Sequence, residues 1–255
     1  MTAAEPGSGD AAEARLAALF PGDLAWCAAR VRPREVLPEA EPLPSFFADG
    51  AFERAIATFA AVYPQADRRS VVSMWSMYYF SCLTLPCLAA ALGSGHRLPV
   101  DLEETSLALG EHGLPTAFGL ARDAAPIADG DGDARFAPLF ARHLRPVVDV
   151  MARKGGISAK LAWCNVAAYV DYGVHLACAR PNLPERERRC ALALVGDKTA
   201  PDGLPNPLFG AIRRVEENGE TVRRRKVCCL RYMLPGIEGC GSLCALPSVR
   251  QQAAA

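Results

Sequence analysis

The sequence predicts a mainly α-helical fold with two small antiparallel β-hairpins, an α+β fold, and a cysteine-rich metal-binding loop near its C-terminal end. Three observations lead to this prediction. Apolar residues recur at helical spacing in several segments between residues 46 and 200. Short apolar runs flank turn residues at two places, which is typical of hairpins. Four of the ten cysteines lie within seventeen residues, from Cys228 to Cys244.

The N-terminal region, residues 1–45, is predicted to be partly disordered and to contain one short helix. Residues 1–9 are small and polar, and we expect them to be disordered. Asp10 can cap a helix that runs through Leu19 and ends at Pro21-Gly22. Four prolines between residues 31 and 45 predict an extended connector without regular structure.

Two helices are predicted next, one beginning at Ser45 or Asp49 and ending at Pro64, and one over about residues 68–92 that Asp67 caps. The second has no charged residue from position 71 to 95 and is long enough to span a membrane. Its several serines lower the hydrophobicity and favour a buried core helix, with peripheral membrane contact left open. We interpret its aromatic residues Trp75, Tyr78 and Tyr79 as core residues.

The middle of the chain returns to helices after a hairpin over residues 106–120, in which two apolar runs flank residues 110–113. A loop over residues 124–133 leads to a helix over about residues 134–154, which Asp133 caps, Pro146 kinks and Gly155-Gly156 ends. Ser158 caps a further helix through about Cys178. A third helix begins at Pro184 and ends near residue 196.

A second hairpin precedes the cysteine-rich loop. Runs over residues 209–215 and 221–228 flank Asn218-Gly219, which tolerates the positive φ of a tight turn. The second strand is therefore predicted to present Cys228 and Cys229 at its end. Pro235-Gly236 then turns the chain so that Cys240 and Cys244 return to the first pair.

The four clustered thiols form the candidate site. Four thiolates around one point suit a tetrahedral zinc ion or an iron–sulfur cluster, and the ligand set alone does not choose between them. The vicinal pair Cys228-Cys229 is awkward for a zinc knuckle, which separates its paired ligands by spacer residues. The other six cysteines lie among apolar neighbours and are interpreted as buried, unreactive thiols: Cys27, Cys82, Cys87, Cys164, Cys178 and Cys190.

This C-terminal segment also resembles a known family. The run from Arg224 to Pro235, followed by Cys240-Gly241, is similar to the C-terminal signature of the FhuF-type ferric siderophore reductases. That family carries a [2Fe-2S] cluster on Cys-Cys, ten residues, Cys, two residues, Cys. The first three thiols match the pattern, whereas three residues separate Cys240 from Cys244 here.

The resemblance implies a ferric siderophore reductase that passes one electron from the cluster to siderophore-bound Fe(III) and releases Fe(II). It implies cluster ligands Cys228, Cys229, Cys240 and Cys244 and no catalytic residue beyond the cluster, while the substrate-binding residues stay unknown. Residues 46–200 would then form the helical siderophore-binding domain, and residues 207–255 the hairpin and cluster segment. The alternative is a protein that holds zinc in the same thiols and binds a siderophore or a partner without redox chemistry.

Charge and cysteine content limit the binding partners and the cellular location that we expect. The formal net charge is zero, which gives no general attraction to nucleic acid. Ten cysteines and an N-terminus without an apolar leader predict a cytoplasmic protein, with the inner face of the membrane as a further location. The sequence shows no phosphate-binding loop or dinucleotide fingerprint, so we expect an external electron donor such as a ferredoxin or a flavin reductase.

Overall fold

The helices and strands have the following bounds in a computed structural model, which describes residues 8–217, 219–237 and 239–246, apart from the side chains of Ser8 and Asp133. The α-helices are α1 (Ser8–Ala17), α2 (Leu43–Ala48), α3 (Ala51–Ala60), α4 (Arg68–Gly93), α5 (Ala137–Leu139), α6 (Arg145–Gly155), α7 (Ala159–Ala179) and α8 (Glu185–Gly196). The strands are β1 (Val31–Pro33), β2 (Glu41–Pro42), β3 (His96–Arg97), β4 (Thr105–Leu109), β5 (Pro115–Leu120), β6 (Ala125–Pro126), β7 (Ile212–Glu217) and β8 (Glu220–Arg225). The predicted α+β class is therefore confirmed.

The two longest helices begin at the predicted caps. The Asp67 carboxylate accepts a hydrogen bond from the backbone N–H of Arg69, and Ser158 Oγ accepts one from the N–H of Leu161. Such bonds satisfy donors that the first turn of a helix leaves without partners. The first helix differs from its prediction, since α1 begins at Ser8 and includes two residues that we expected to be disordered. Residues 1–7 lie outside the described part of the chain.

The prediction of an irregular connector over residues 31–45 is wrong. β1, β2 and the start of α2 lie there, and the two strands extend the predicted hairpin into a four-stranded sheet of order β1-β5-β4-β2. Only β1 pairs in parallel, with β5. Pro33 and Pro42 are tolerated because β1 and β2 are the two edge strands, where a missing N–H breaks no central ladder bond. The predicted loop over residues 124–133 likewise contains β6, which pairs with β3.

The helix predicted over residues 134–154 is interrupted. A 3₁₀ turn (Gly132–Phe136), α5 and a π-helical turn (Phe140–Leu144) precede α6. Pro146 lies in the first turn of α6 and cannot donate the regular backbone hydrogen bond, so the change of helical pitch immediately before it has a local cause. The predicted cap at Asp133 falls on a side chain outside the description. Gly156 ends the helix with a φ of 72°.

The centre of the core is the packing of α4 against α7. Trp75 and Tyr79 are fully buried on α4, as predicted, whereas Tyr78 is 37% exposed and its prediction as a core residue is wrong. By length and composition α4 could cross a membrane, but 72% of its most apolar 18-residue stretch is buried inside the protein. The buried apolar cluster is continuous from Leu16 to Leu234, so the C-terminal segment shares the core of the helices.

Candidate functional site

The cysteine-rich loop follows β8 after a short irregular segment. β8 ends at Arg225, so Cys228 and Cys229 lie three and four residues beyond regular structure, and their prediction at a strand end is wrong. The hairpin itself is present, with a φ of 81° at Gly219, while Asn218 lies outside the described residues. Beyond Arg225 the N–H of Lys226 still donates to the carbonyl of Ala211, and the carbonyls of Val227 and Cys229 then bond to Cys164 on α7 and Ser73 on α4.

Two turns fold the loop back on itself. Leu230 has a φ of 61°, a left-handed conformation that is rare for a bulky residue. A 3₁₀ turn (Arg231–Met233) follows, and the N–H of Ile237 then donates to the carbonyl of Leu234 at 3.4 Å across Pro235-Gly236. Gly236 has the positive φ that the third position of a type II turn requires. These turns return the chain to Cys240 and Cys244.

This path brings one pair of the four thiols, Cys229 and Cys240, into contact. The Sγ atoms of Cys229 and Cys240 are 3.8 Å apart. Four sulfurs at the usual metal–sulfur bond length of about 2.3 Å form a tetrahedron whose edge is about 3.8 Å, so this pair already has ligand spacing. Across the described residues, no group of three or more His, Cys, Asp or Glu side chains is assembled to hold a metal ion. The other two sulfurs would therefore have to shift when a metal group binds.

Electrostatics distinguish three of the four thiols. The hydrogen bond between Cys229 and Cys240, together with the Arg225 guanidinium, lowers the pKa of Cys229 to about 6. The same shared proton raises the pKa of Cys240, and burial raises that of Cys228. The backbone N–H groups of Leu230 and Leu246 donate to the sulfurs of Cys228 and Cys244 at 3.3 and 3.4 Å. The bond from Leu230 lowers the pKa of Cys228 and so opposes the effect of burial.

A buried polar network holds the loop against the helices. Ser73 Oγ on α4 donates to the carbonyl of Cys229 at 2.7 Å. Asn165 Nδ2 on α7 donates to the carbonyl of Ser73 at 3.1 Å and to Ser76 Oγ at 2.8 Å. The thiol of Cys164 donates to the carbonyl of Val227 at 3.6 Å. Hydrogen bonds to the carbonyls of Val227 and Cys229 thus fix the loop on both sides of the Cys228-Cys229 pair.

Arg225 occupies the centre of this network. Arg225 is 1% exposed, and its Nη2 donates to Asn165 Oδ1. Its Nη1 is buried without a hydrogen-bond partner. Nε of Arg231, in the 3₁₀ turn that follows, is also buried without a partner. An unpartnered buried guanidinium N–H is costly unless an anionic group lies beside it. The four-thiolate centre that the sequence predicts carries negative charge, so the surroundings fit such a group.

The sequence did not reveal the residues that support the site. Asn165, Ser73 and Ser76 lie on helices that otherwise face an apolar core, and only the presence of polar side chains on those faces could have indicated a network. Of the six remaining cysteines, five are buried as predicted, and Cys178 is half-buried. Burial raises the pKa of Cys27 and of Cys82 to about 12, which keeps both thiols protonated.

Two comparisons with known proteins give results that agree with each other. A family model described as "Ferric iron reductase FhuF-like transporter" matches residues 73–222, a range that ends before Cys228. A curated protein named ferric siderophore reductase from Escherichia coli (strain K12) is 28% identical over 180 residues. That alignment covers 69% of this chain and 65% of the relative, so the chain spans just under two thirds of that protein's length. Since the family match covers more than half of the sequence, the chain belongs to the FhuF-like family of ferric iron reductases.

Proposed function

We propose that the protein is a ferric siderophore reductase in which Cys228, Cys229, Cys240 and Cys244 hold a [2Fe-2S] cluster. The observation that carries this proposal is the 3.8 Å approach of the Cys229 and Cys240 sulfurs near the buried, unpartnered Nη1 of Arg225. The family membership and the name of the E. coli relative support ferric siderophore reduction as the function. When bound, the cluster would accept one electron and pass it on.

The chain's own residues would hold and tune this centre. The loop carbonyls bonded by Ser73 and Cys164 fix the backbone that carries Cys228 and Cys229. Arg225 places positive charge beside Cys229, which stabilises the more negative, reduced state of the centre. No protein acid or base is needed, because an outer-sphere electron transfer moves no proton at the substrate.

Iron release follows from the chemistry of the substrate. Fe(III) is a hard cation that hard oxygen ligands hold tightly, and Fe(II) is held far more weakly by the same ligands. One electron per siderophore therefore frees the metal for assimilation. The electron would come from a separate cytoplasmic donor, a ferredoxin or a flavin reductase. The exposed Arg213 and Arg214 of β7 would favour an acidic donor, as they lie opposite Arg224 and Arg223 on β8.

The ligand assignment is tested by exchanging each of the four cysteines for serine. Each variant is purified without oxygen, and bound iron and acid-labile sulfide are quantified. We expect each exchange to reduce both to a small fraction of the wild-type content, while the control Cys178→Ser retains them. A normal cluster in Cys244→Ser would remove Cys244 from the ligand set, in spite of its position in the loop.

The metal itself separates this proposal from the zinc alternative. We expect the wild-type protein to be brown and to bleach when dithionite is added. A colourless protein that carries stoichiometric zinc after anaerobic purification would instead support a binding protein without redox chemistry. The Cys229–Cys240 spacing fits both metals, so elemental analysis and the visible spectrum must be recorded on the same sample.

A further inference from the structure

Beside the cysteine loop lies a surface formed by Tyr63, Tyr78, Tyr169 and Arg231, which we call the tyrosine–arginine face. Tyr63 follows α3, Tyr78 is on α4, Tyr169 is on α7, and Arg231 is in the turn after Cys229. α4 contacts α3, α7 and this turn. The rings of Tyr63 and Tyr78 both pack edge-on against Phe59, at 5.3 and 6.1 Å between centroids. Their positions are therefore fixed by the core.

The polar ends of this face lack partners within the protein. Among the described residues, the hydroxyls of the three tyrosines form no hydrogen bond, in contrast to Tyr79, whose hydroxyl bonds to His143. Arg231 has no ion pair in the described part of the chain, and its Nε is buried without an acceptor. Tyr78 is 37% exposed and the other three side chains are half-buried. The face thus presents hydrogen-bond donors on a rigid aromatic base.

Electrostatic effects show that these groups lie close to one another and to the thiols. Burial raises the pKa of the Tyr63 hydroxyl and that of the Tyr169 hydroxyl, and at both Tyr78 adds to the rise while Arg231 opposes it. Cys229 also acts on Tyr169 and raises its pKa. The phenols of Tyr63 and Tyr169 are therefore protonated donors at neutral pH. Tyr169 connects the face to the site of the proposed cluster.

The backbone at Leu230 supports a functional role for this arrangement. A leucine with a φ of 61° is strained, and strain of this kind is found where a precise side-chain position is required. Here the left-handed residue separates Cys229 from Arg231. It lets the chain reverse, so that the 3₁₀ turn bearing Arg231 packs against α4.

We infer that the tyrosine–arginine face binds the substrate, a ferric chelate whose metal-coordinating oxygens carry negative charge. This inference rests on the proposed reductase function and assigns its unknown substrate-binding residues. Phenol and guanidinium N–H and O–H groups would donate to the chelate oxygens, and the tyrosine rings would cover its apolar surface. The position beside Cys229 would keep the path of the electron short.

The same contacts would also favour the reaction. One electron, supplied through the centre that the four cysteines would hold and replaced by the external one-electron donor, would make the chelate more negative by one charge as Fe(III) becomes Fe(II). Donors on the face that are fixed beforehand would stabilise this product-like charge more strongly than that of the ferric complex. The face would thus lower the barrier to reduction in addition to holding the substrate.

Binding can be measured without electron transfer by using gallium. The probe is the gallium(III) complex of a linear trihydroxamate, which has the charge and shape of the ferric complex but is not reduced. We expect Tyr78→Phe, Tyr169→Phe and Arg231→Gln each to weaken its binding to the loaded protein by about tenfold in calorimetry. The matched controls are Tyr172→Phe and Arg189→Gln, which change exposed residues of α7 and α8.

The outcomes separate this inference from the reductase proposal. Iron content and the visible spectrum confirm that each variant is loaded. If wild-type protein fails to bind the gallium complex, or if the face variants bind it as wild type does, the inference is overturned even where ferric chelates are reduced. Equal losses in the control variants would overturn it as well. If the face variants alone lose binding but wild-type protein reduces no ferric chelate, the binding face stands and the reductase function fails.

Discussion

Arg225 is the residue on which the chemistry of the site depends most. It is buried, its Nη1 has no hydrogen-bond partner, and its charge acts on Cys229. From the sequence alone, Arg225 could not be distinguished from its neighbours Arg223 and Arg224, which are half-buried in the structure. Strand alternation sends neighbouring side chains to opposite faces, and only the packing against α7 determines which of them is buried.

We predict that Arg225→Gln lowers the reduction potential of the proposed [2Fe-2S] cluster. Loss of a unit charge at several ångströms removes about 2 kcal/mol of stabilisation from the reduced state at an effective dielectric constant near 20, which is on the order of 100 mV for one electron. The measurement is a spectroscopic redox titration of the loaded protein. Arg225→Lys keeps the charge and should stay close to wild type. A potential that is unchanged in the glutamine variant would contradict the role of Arg225.

His143 gives a second prediction at this scale. It is fully buried with its Nε2 2.7 Å from the Tyr79 hydroxyl, and burial lowers its pKa to about 4. In the unfolded chain the pKa of histidine is about 6.5, so the folded state is stable above that pH and loses stability as the pH falls from 6.5 toward 4. The loss from this group alone is about 3 kcal/mol.

Urea denaturation of the wild type and of His143→Asn between pH 4.5 and 7.5 measures this effect. The variant should be less stable at neutral pH because it loses the contact with Tyr79, and its stability should fall less steeply with decreasing pH. Parallel pH dependences in the two proteins would mean that His143 does not remain neutral in the fold.

At the scale of elements, the pairing of α4 with α7 positions both the polar network and the tyrosine–arginine face. Gly173 on α7 permits this close packing. A Cβ atom at Gly173 would lie 2.6 Å from Leu88 Cδ1 and 3.2 Å from Leu85 Cδ2 on α4. Gly196 ends α8, and a Cβ atom there would meet no atom within 4 Å.

We predict that Gly173→Ala is less stable than Gly196→Ala by about 1–3 kcal/mol. Alanine improves helix propensity in both variants, whereas only the first forces α4 and α7 apart. Thermal unfolding monitored by circular dichroism gives the comparison. Equal stability of the two variants would show that the two leucine side chains yield without strain and that Gly173 does not set the distance between the helices.

Helices and strands were predicted correctly where the deciding contacts lie within a few residues in the sequence. They were missed where the deciding contacts come from distant parts of the chain. Asp67 and Ser158 act as caps through bonds to residues two or three positions away, so their helices were found. β1 and β2 were missed because their prolines are compatible with a strand only at a sheet edge, and edge position depends on β4 and β5. The four thiols could be found from spacing, but the contacts of Cys229 with Ser73 depend on the whole fold.

At the scale of the molecule, the C-terminal segment has an inner part and an outer part. Cys229 and Leu234 belong to the buried apolar cluster shared with the helices. Pro235, Gly236 and the turn at Gly241 are exposed. We therefore expect the inner part to stay in place without metal, and the outer part to depend on the metal for its order.

Limited proteolysis of metal-free and loaded protein tests this division. With a protease of broad specificity, the metal-free form should be cut rapidly beyond residue 234 and leave one large fragment that contains the helices. The loaded form should resist in the same segment. If the metal-free form loses its helices as rapidly as its C-terminal segment, or if both forms resist equally, the metal does not order this part of the chain.

The hydrogen bond from Ser73 to the carbonyl of Cys229 joins residues 156 positions apart, and it has a consequence for biosynthesis. The ribosome completes α4 and α7 before it adds the cysteine loop, so the helices can pair while the loop is still absent. Until β8 and the loop dock, Asn165 lacks the bond from Arg225, and Ser73 lacks the carbonyl of Cys229. Docking is therefore one of the last folding steps, and the cellular machinery that delivers iron and sulfide would meet a chain whose helices are already assembled.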